Sequence, residues 1–211
     1  MNIITICGNI GSGKSTVMNM LRKSQNEHQM FKTPLCKNNF SFIDEPIDKW
    51  GDWLKRFYQD PTKHSLGFQL KILNTYNGMF VENSTKDVMV TERSPYESIF
   101  IFSELLKTNN TLSKEEYDVL LETYDYIGWT PNVFIYINTS PEECIRRINV
   151  RSRKCESKID EQYVYDLHAQ YEHIMNTTKN RVFTINGDRS LEHVYANIAD
   201  ILISYNTSLV N

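Results

Sequence analysis

The chain has 211 residues, 40% of them hydrophobic and 23% charged, with a formal net charge of −3. That is enough apolar material for one continuous core, and the balance is that of a globular domain, which excludes a disordered or fibrous chain. The slight acidic excess excludes broad electrostatic binding to nucleic acid and leaves room for small anions held by a few local cations.

The first predicted element, "NIITIC" near 2–7, is an unbroken apolar and β-branched run that reads as a buried strand. It leads directly into "GNIGSGKST". Gly8, Gly13, Lys14 and Ser15 fit the spacing of a glycine-rich turn between a strand and a helix, whose backbone N–H groups gather around phosphate oxygens. The candidate nucleotide-binding residues are therefore Gly8, Asn9, Ile10, Gly11, Ser12, Gly13, Lys14, Ser15 and Thr16. Lys14 is expected to reach the β and γ phosphates, and Ser15 to ligate magnesium. The pattern specifies nucleotide binding without fixing the reaction, because GTPases, motor ATPases and small-molecule kinases share it.

A second strand near 40–45, "FSFIDE", delivers Asp44 and Glu45 to the edge where a parallel sheet presents its site. A carboxylate there can accept the proton of an attacking hydroxyl. The alternative is a helix N-cap by Asp44 or Asp48 with Glu45 solvated. The long segment from Trp50 onward reads as two helices broken at Asp60-Pro61, an insertion placed to build a site.

The third strand, near 87–92, ends in "VTERSPYES". Glu92 is placed to hold magnesium and Arg93 to neutralise phosphate or orient Glu45, with a plain surface ion pair as the alternative. Strands near 132–138 and 181–186 complete a strand-helix repetition. It implies an α/β fold over residues 1–211, a five-stranded parallel sheet with helices on both faces. Pro141 opens a helix running into the cation-rich "RRINVRSRKCESK". A lid is expected at about 147–160, with Arg147, Arg151 and Arg153 converging on the transferred phosphoryl group; a solvated helix face is the alternative.

Cys7, Cys36, Cys144 and Cys155 form no metal-binding spacing, so reduced thiols are expected. The opening strand leaves no room for a signal peptide and no apolar run approaches a membrane span, which predicts a cytoplasmic protein without membrane or nucleic-acid partners.

With these residues in place, the chain resembles the deoxynucleoside kinase family, the group of deoxycytidine, deoxyguanosine and mitochondrial-type thymidine kinases, cellular and viral. "GNIGSGKST" is similar to that family's phosphate loop, "EPIDKW" to its Glu-Pro-x-x-x-Trp element, "ERS" to its Glu-Arg-Ser signature and "RINVRSR" to its lid. The resemblance implies a P-loop kinase fold and transfer of the ATP γ-phosphoryl group, with Mg2+, to a deoxynucleoside 5′-hydroxyl. Glu45 becomes the general base, Arg93 its partner and Glu92 the magnesium-site carboxylate. Tyr58 and Glu156 match positions that hold the sugar 3′-hydroxyl, and Gln69 the residue that reads the base. Phe68 and Phe102 match the surrounding aromatics, and Ile10 and Trp50 the pocket wall. For Phe102, helical periodicity alone assigns core packing.

"INGDRS", with Asp188 and Arg189, resembles the loop around the donor's adenine. Purine-preferring and deoxycytidine relatives carry an Arg and an Asp where this chain has Tyr76 and Ser98, and the loss of that charged pair argues against a purine specialist. Thymidine-type relatives have a flexible apolar side chain and Ala there, so Ser98 is tolerable and Tyr76 narrows the pocket. The resemblance leans towards thymidine or deoxycytidine. The apolar surplus of "SIFIFSELL" and the pairing of relatives through this region imply a homodimer, with core packing alone as the alternative. Two rival readings are a thymidylate-kinase-like monophosphate kinase and a kinase-like structural subunit that has lost the chemistry.

Overall fold

The computed structural model describes residues 1–26, 40–151 and 159–208. Strands β1 (Asn2–Cys7), β2 (Phe40–Ile43), β3 (Val88–Glu92), β4 (Val133–Asn138) and β5 (Arg181–Asn186) form one parallel sheet in the order β2-β3-β1-β4-β5. The near-continuous apolar strands have a direct cause, because both sheet faces are covered. Ile4 and Ile6 of β1, Val90 of β3 and Ile135 of β4 pack against Val17 and Leu21 of α1 (Lys14–Asn26) and Ile198 and Leu202 of α10 (Leu191–Ser208).

Alternate residues of the same strands turn to the opposite face. Ile3 and Met89 meet Leu73 and Tyr76 of α4 (Pro61–Glu82) and Leu120 of α7 (Lys114–Ile127). Cys7, Phe134 and Tyr136 meet Leu167, Tyr171 and Met175 of α9 (Glu161–Thr177). The remaining helices are α2 (Ile47–Trp50), α3 (Asp52–Gln59), α5 (Pro95–Glu97), α6 (Glu104–Thr108) and α8 (Pro141–Arg151). No helix among the described residues is long and apolar enough to cross a membrane.

Two sequence-based expectations need correction. β2 stops at Ile43, whose partner Thr91 makes the last pair of that ladder, so Asp44 and Glu45 lie beyond the strand. The segment after Trp50 holds the two expected helices, α3 and α4, broken at Asp60, whose carboxylate accepts from the Lys63 N–H at 3.2 Å; the short α2 before it ends at Gly51, at φ +52°. "SIFIFSELL" spends its apolar surplus inside the chain, since Ile99, Ile101, Leu105 and Leu106 are all buried. Residues Ser98–Ser103 form a π-helical turn, in which the Ser103 hydroxyl donates to the Ser98 carbonyl at 2.7 Å. Such turns concentrate at functional sites because they redirect side chains, and this one brings Ser98 and Phe102 to the same cavity wall.

Candidate active site

The carboxyl ends of β1 and β3 open into a cavity of about 510 Å³. This edge of a parallel sheet, where the strand order reverses, is where α/β folds place their sites. One half is the loop after β1. Gly8 (φ +143°) and Gly11 (φ +82°) adopt backbone that other residues rarely reach. A Cβ would lie 2.6 Å from the Ile137 carbonyl oxygen at Gly8 and 2.6 Å from that of Cys144 at Gly11, so the loop is pressed against β4 and α8. Asn9 ties it to a third element, donating from Nδ2 to the Val164 carbonyl of α9 at 2.8 Å while its Oδ1 accepts from the Ile10 N–H.

Lys14 Nζ folds back along this loop, donating to the carbonyls of Gly8 (3.0 Å) and Asn9 (2.7 Å) and to Ser12 Oγ (3.3 Å). Burial, helped by the nearby Arg93 charge, lowers the Lys14 amine to about 8 against the pull of Glu92, Glu45 and Glu97. Ser15 Oγ donates to Glu92 Oε1 at 2.6 Å. Burial first, then the neighbouring Glu45, raises the Glu92 carboxyl. This corner therefore sets a hydroxyl and a crowded carboxylate side by side.

Arg93 is not a surface residue. At φ +61° it leaves β3 in a left-handed turn, its N–H still bonded to the Ile6 carbonyl at 3.2 Å. Its guanidinium is held on several sides: Nε lies 2.9 Å from Glu45 Oε1 in an ion pair too oblique for a hydrogen bond. Nη1 donates to the Gly8 carbonyl at 3.2 Å and to the Tyr171 hydroxyl at 2.5 Å, and the plane sits 4.8 Å from the Phe102 ring centre. Burial opposes the Arg93 charge, but Tyr171, Glu45 and Glu97 outweigh it and raise its basicity.

The other half of the cavity is mostly apolar. Trp50, Tyr58, Phe68, Gln69, Tyr76, Ser98 and Phe102, all singled out in the sequence, line it together with Glu45 and Ile10. Phe68 packs edge-on to Trp50 at 5.6 Å and stacks on Phe57 at 5.2 Å. The Ser98 hydroxyl donates to Gln69 Oε1 at 2.5 Å, and the Tyr76 hydroxyl donates to the Glu92 carbonyl at 3.1 Å.

The other expected residues divide between the cavity wall and other places. Asp44 pairs with Arg22 at 2.6 Å on the surface, neither at the site nor capping a helix. Arg151 lines the cavity. Arg147 does too, but its guanidinium is engaged within the protein, donating to the carbonyls of Ser12 (3.1 Å) and Gly187 (3.0 Å) and to Glu143 (2.7 Å). Asp188 accepts from the N–H and hydroxyl of Ser140 at 3.0 Å, holding two loops together, and Arg189 is exposed; neither lines the cavity. Arg153 and Glu156 lie outside the described residues. Missed in the sequence were Phe57, Tyr163 and Arg146 on the cavity wall, and the buried Glu97 and Tyr171 behind Arg93.

The sequence model of the family described as deoxynucleoside kinase matches residues 4–211. A protein of invertebrate iridescent virus 6 is 32% identical over 196 residues, covering 92% of this chain and 93% of its own length. Deoxycytidine kinase 1 of Xenopus laevis is 28% identical over 197 residues, covering 80% of this chain and 72% of its own. The fold matches that of a deoxyadenosine kinase from M. mycoides, solved with dCMP and a flexible dCDP, at a TM-score of 0.81 and 21% identity over 96% of this chain and 99% of that one. With the match running from the first strand through the last helix, this chain belongs to the deoxynucleoside kinase family and is a nucleotide-binding kinase.

Proposed function

We propose that this kinase transfers the γ-phosphoryl group of ATP to the 5′-hydroxyl of a pyrimidine deoxynucleoside, thymidine or deoxycytidine. One observation carries the choice of a neutral acceptor. Where a monophosphate acceptor would need cations, the apolar half of the cavity offers the Glu45 carboxylate, and the adjacent Arg93 already faces it at 2.9 Å. Glu45 is positioned to take the hydroxyl proton as the nucleoside oxygen attacks. Arg93 holds that carboxylate and neutralises charge spreading over the transferred group.

Lys14 exchanges its loop carbonyls for phosphate oxygens, and the cation-bearing wall of α8 supplies Arg147 and Arg151. In a loose transition state such positioning and charge neutralisation outweigh the base. The Ser15 hydroxyl beside the Glu92 carboxylate is a hard-oxygen pair suited to hold Mg2+, which would supply neutralisation of phosphate charge. A cation there would also relieve the crowding of Glu92 by Glu45.

The pyrimidine preference rests on Tyr76 and Ser98. Tyr76 is a full-sized ring, 1% exposed and edge-on to Trp129 at 6.1 Å, and its hydroxyl is committed to a backbone carbonyl. It narrows the base end and offers no charge to a purine. Gln69, fixed at Oε1 by Ser98, keeps its amide for the pairing edge of the base. A homodimer, still expected from the resemblance, would draw on exposed residues such as Val81, Val119 and Tyr126, because "SIFIFSELL" is internal. The buried thiols of Cys7 and Cys144 suit a reducing, cytoplasmic setting.

Steady-state phosphorylation with thymidine, deoxycytidine, deoxyadenosine, deoxyguanosine and thymidine monophosphate as separate acceptors tests the reading. The two pyrimidine nucleosides should give the highest kcat/KM. A purine preference would overturn the roles of Tyr76 and Ser98, and activity on the monophosphate alone would remove Glu45 as base.

A further inference from the structure

Behind Arg93, on the side away from Glu45, lies a second carboxylate. Glu97 is 0% exposed, and its Oε1 accepts from the Tyr171 hydroxyl at 2.8 Å and stands 3.6 Å from Arg93 Nη1. Its Oε2 accepts from the Ser94 hydroxyl at 3.2 Å. Tyr171, itself fully buried on α9, accepts from Arg93 Nη1 at 2.5 Å and so bridges the two charges. Its ring lies nearly parallel to that of Tyr136, 5.8 Å away.

A fully buried carboxylate is costly unless it is paired and hydrogen-bonded, and two elements distant in the chain converge here to satisfy one. The guanidinium between them faces two acids, Glu45 through Nε and Glu97 through Nη1, and its hydrogen bonds among the described residues all leave from Nη1. Gripped at Nη1, the guanidinium is held at an angle to Glu45 at which Nε is too oblique for a hydrogen bond, so the parallel two-bond pairing that would most suppress that carboxylate's basicity is not made.

We propose that Glu97 and Tyr171 are a positioning pair that anchors the Nη1 edge of Arg93, keeping Glu45 singly engaged and the Nη2 edge available to the reacting groups. The inference rests on Glu45 acting as the base. The pair touches neither substrate nor ATP; it acts through Arg93.

The test is steady-state kinetics of Glu97→Gln and Tyr171→Phe, with Glu45→Gln run beside them. Tyr171→Phe deletes the bridging hydroxyl but keeps the ring packed on Tyr136, so it reports even if the Glu97 variant fails to fold. Both variants should lose about tenfold in kcat, the value of one hydrogen bond to a charged group, with KM for nucleoside and ATP changed by less than about threefold. The double variant should lose no more than the worse single one, since both act through one guanidinium. Unchanged kcat, or KM values and thermal stability deteriorating in parallel with kcat, overturns the pair. Glu45→Gln separates this failure from that of the underlying reading. If Glu45→Gln loses turnover and Tyr171→Phe does not, the positioning pair alone is wrong. If Glu45→Gln keeps its turnover, the underlying reading fails and this inference falls with it, whatever Tyr171→Phe does.

Discussion

The two halves of the cavity are built by different means. The phosphate half is a contiguous run, residues 8–16, shaped by backbone at positive φ and pressed against β4, α8 and α9. The nucleoside half is assembled from α2, α3, α4 and the π-helical turn, elements scattered from Trp50 to Phe102, and is shaped by side-chain packing. Arg93 joins the halves, bonded to the Gly8 carbonyl on one side and paired with Glu45 on the other. Backbone geometry tolerates almost no substitution, whereas a packed wall can be retuned one side chain at a time.

That contrast orders the expected effects. Lys14→Ala should cut kcat by about 10³-fold, the scale of removing one charge-stabilising group from a buried site, whichever nucleoside is offered. Gly11→Ala should come next: its Cβ collides with the Cys144 carbonyl at 2.6 Å and its φ of +82° is strained, so KM for ATP should rise and stability fall by about 1–3 kcal/mol in thermal melts. On the nucleoside side, Ser98→Ala releases Gln69 and should shift the thymidine to deoxycytidine ratio of kcat/KM by about three- to tenfold, leaving KM for ATP alone. Should Ser98→Ala disable ATP use as severely as Lys14→Ala, the two halves are not separable.

The smallest effect concerns Glu97 and pH. Burial lifts its carboxyl from 4.5 to about 7, against the pull of Arg93, the Tyr171 hydroxyl, Lys14 and Ser94; Tyr76 and Cys7 also feel its charge. Because the folded protein holds this proton more tightly than the unfolded chain, the group's contribution to stability is complete below about pH 4.5 and is lost as pH rises through about 7. Melts of wild type and Glu97→Gln from pH 5 to 8 should diverge, with wild type falling more steeply. Each kcal/mol corresponds to about 2–4 °C in a chain of this size. Parallel curves would show that Glu97 does not change ionisation in this range.

The phosphate half was legible because strand, loop and helix are adjacent in sequence and the loop's chemistry requires fixed glycines. The sheet was legible for a related reason, since burial on both faces leaves unbroken apolar runs such as "NIITIC". The nucleoside residues were reached only through resemblance; Phe102, read by periodicity alone, would have been assigned to core. What periodicity missed there is the π-helical turn, whose extra residue rotates the face. The sequence Ser94-Pro95-Tyr96-Glu97 carries a capping pattern that accounts for the Ser94 contact. Nothing local announces Tyr171, 74 residues further on, or the shared hold on Arg93.

The most direct measurement is turnover of Glu45→Gln set against its nucleoside affinity. The variant should lose about 10²-fold or more in kcat while calorimetry finds nucleoside dissociation constants within a few-fold of wild type. Undiminished turnover would contradict the account at its centre, leaving Glu45 a binding group and the proton's acceptor elsewhere.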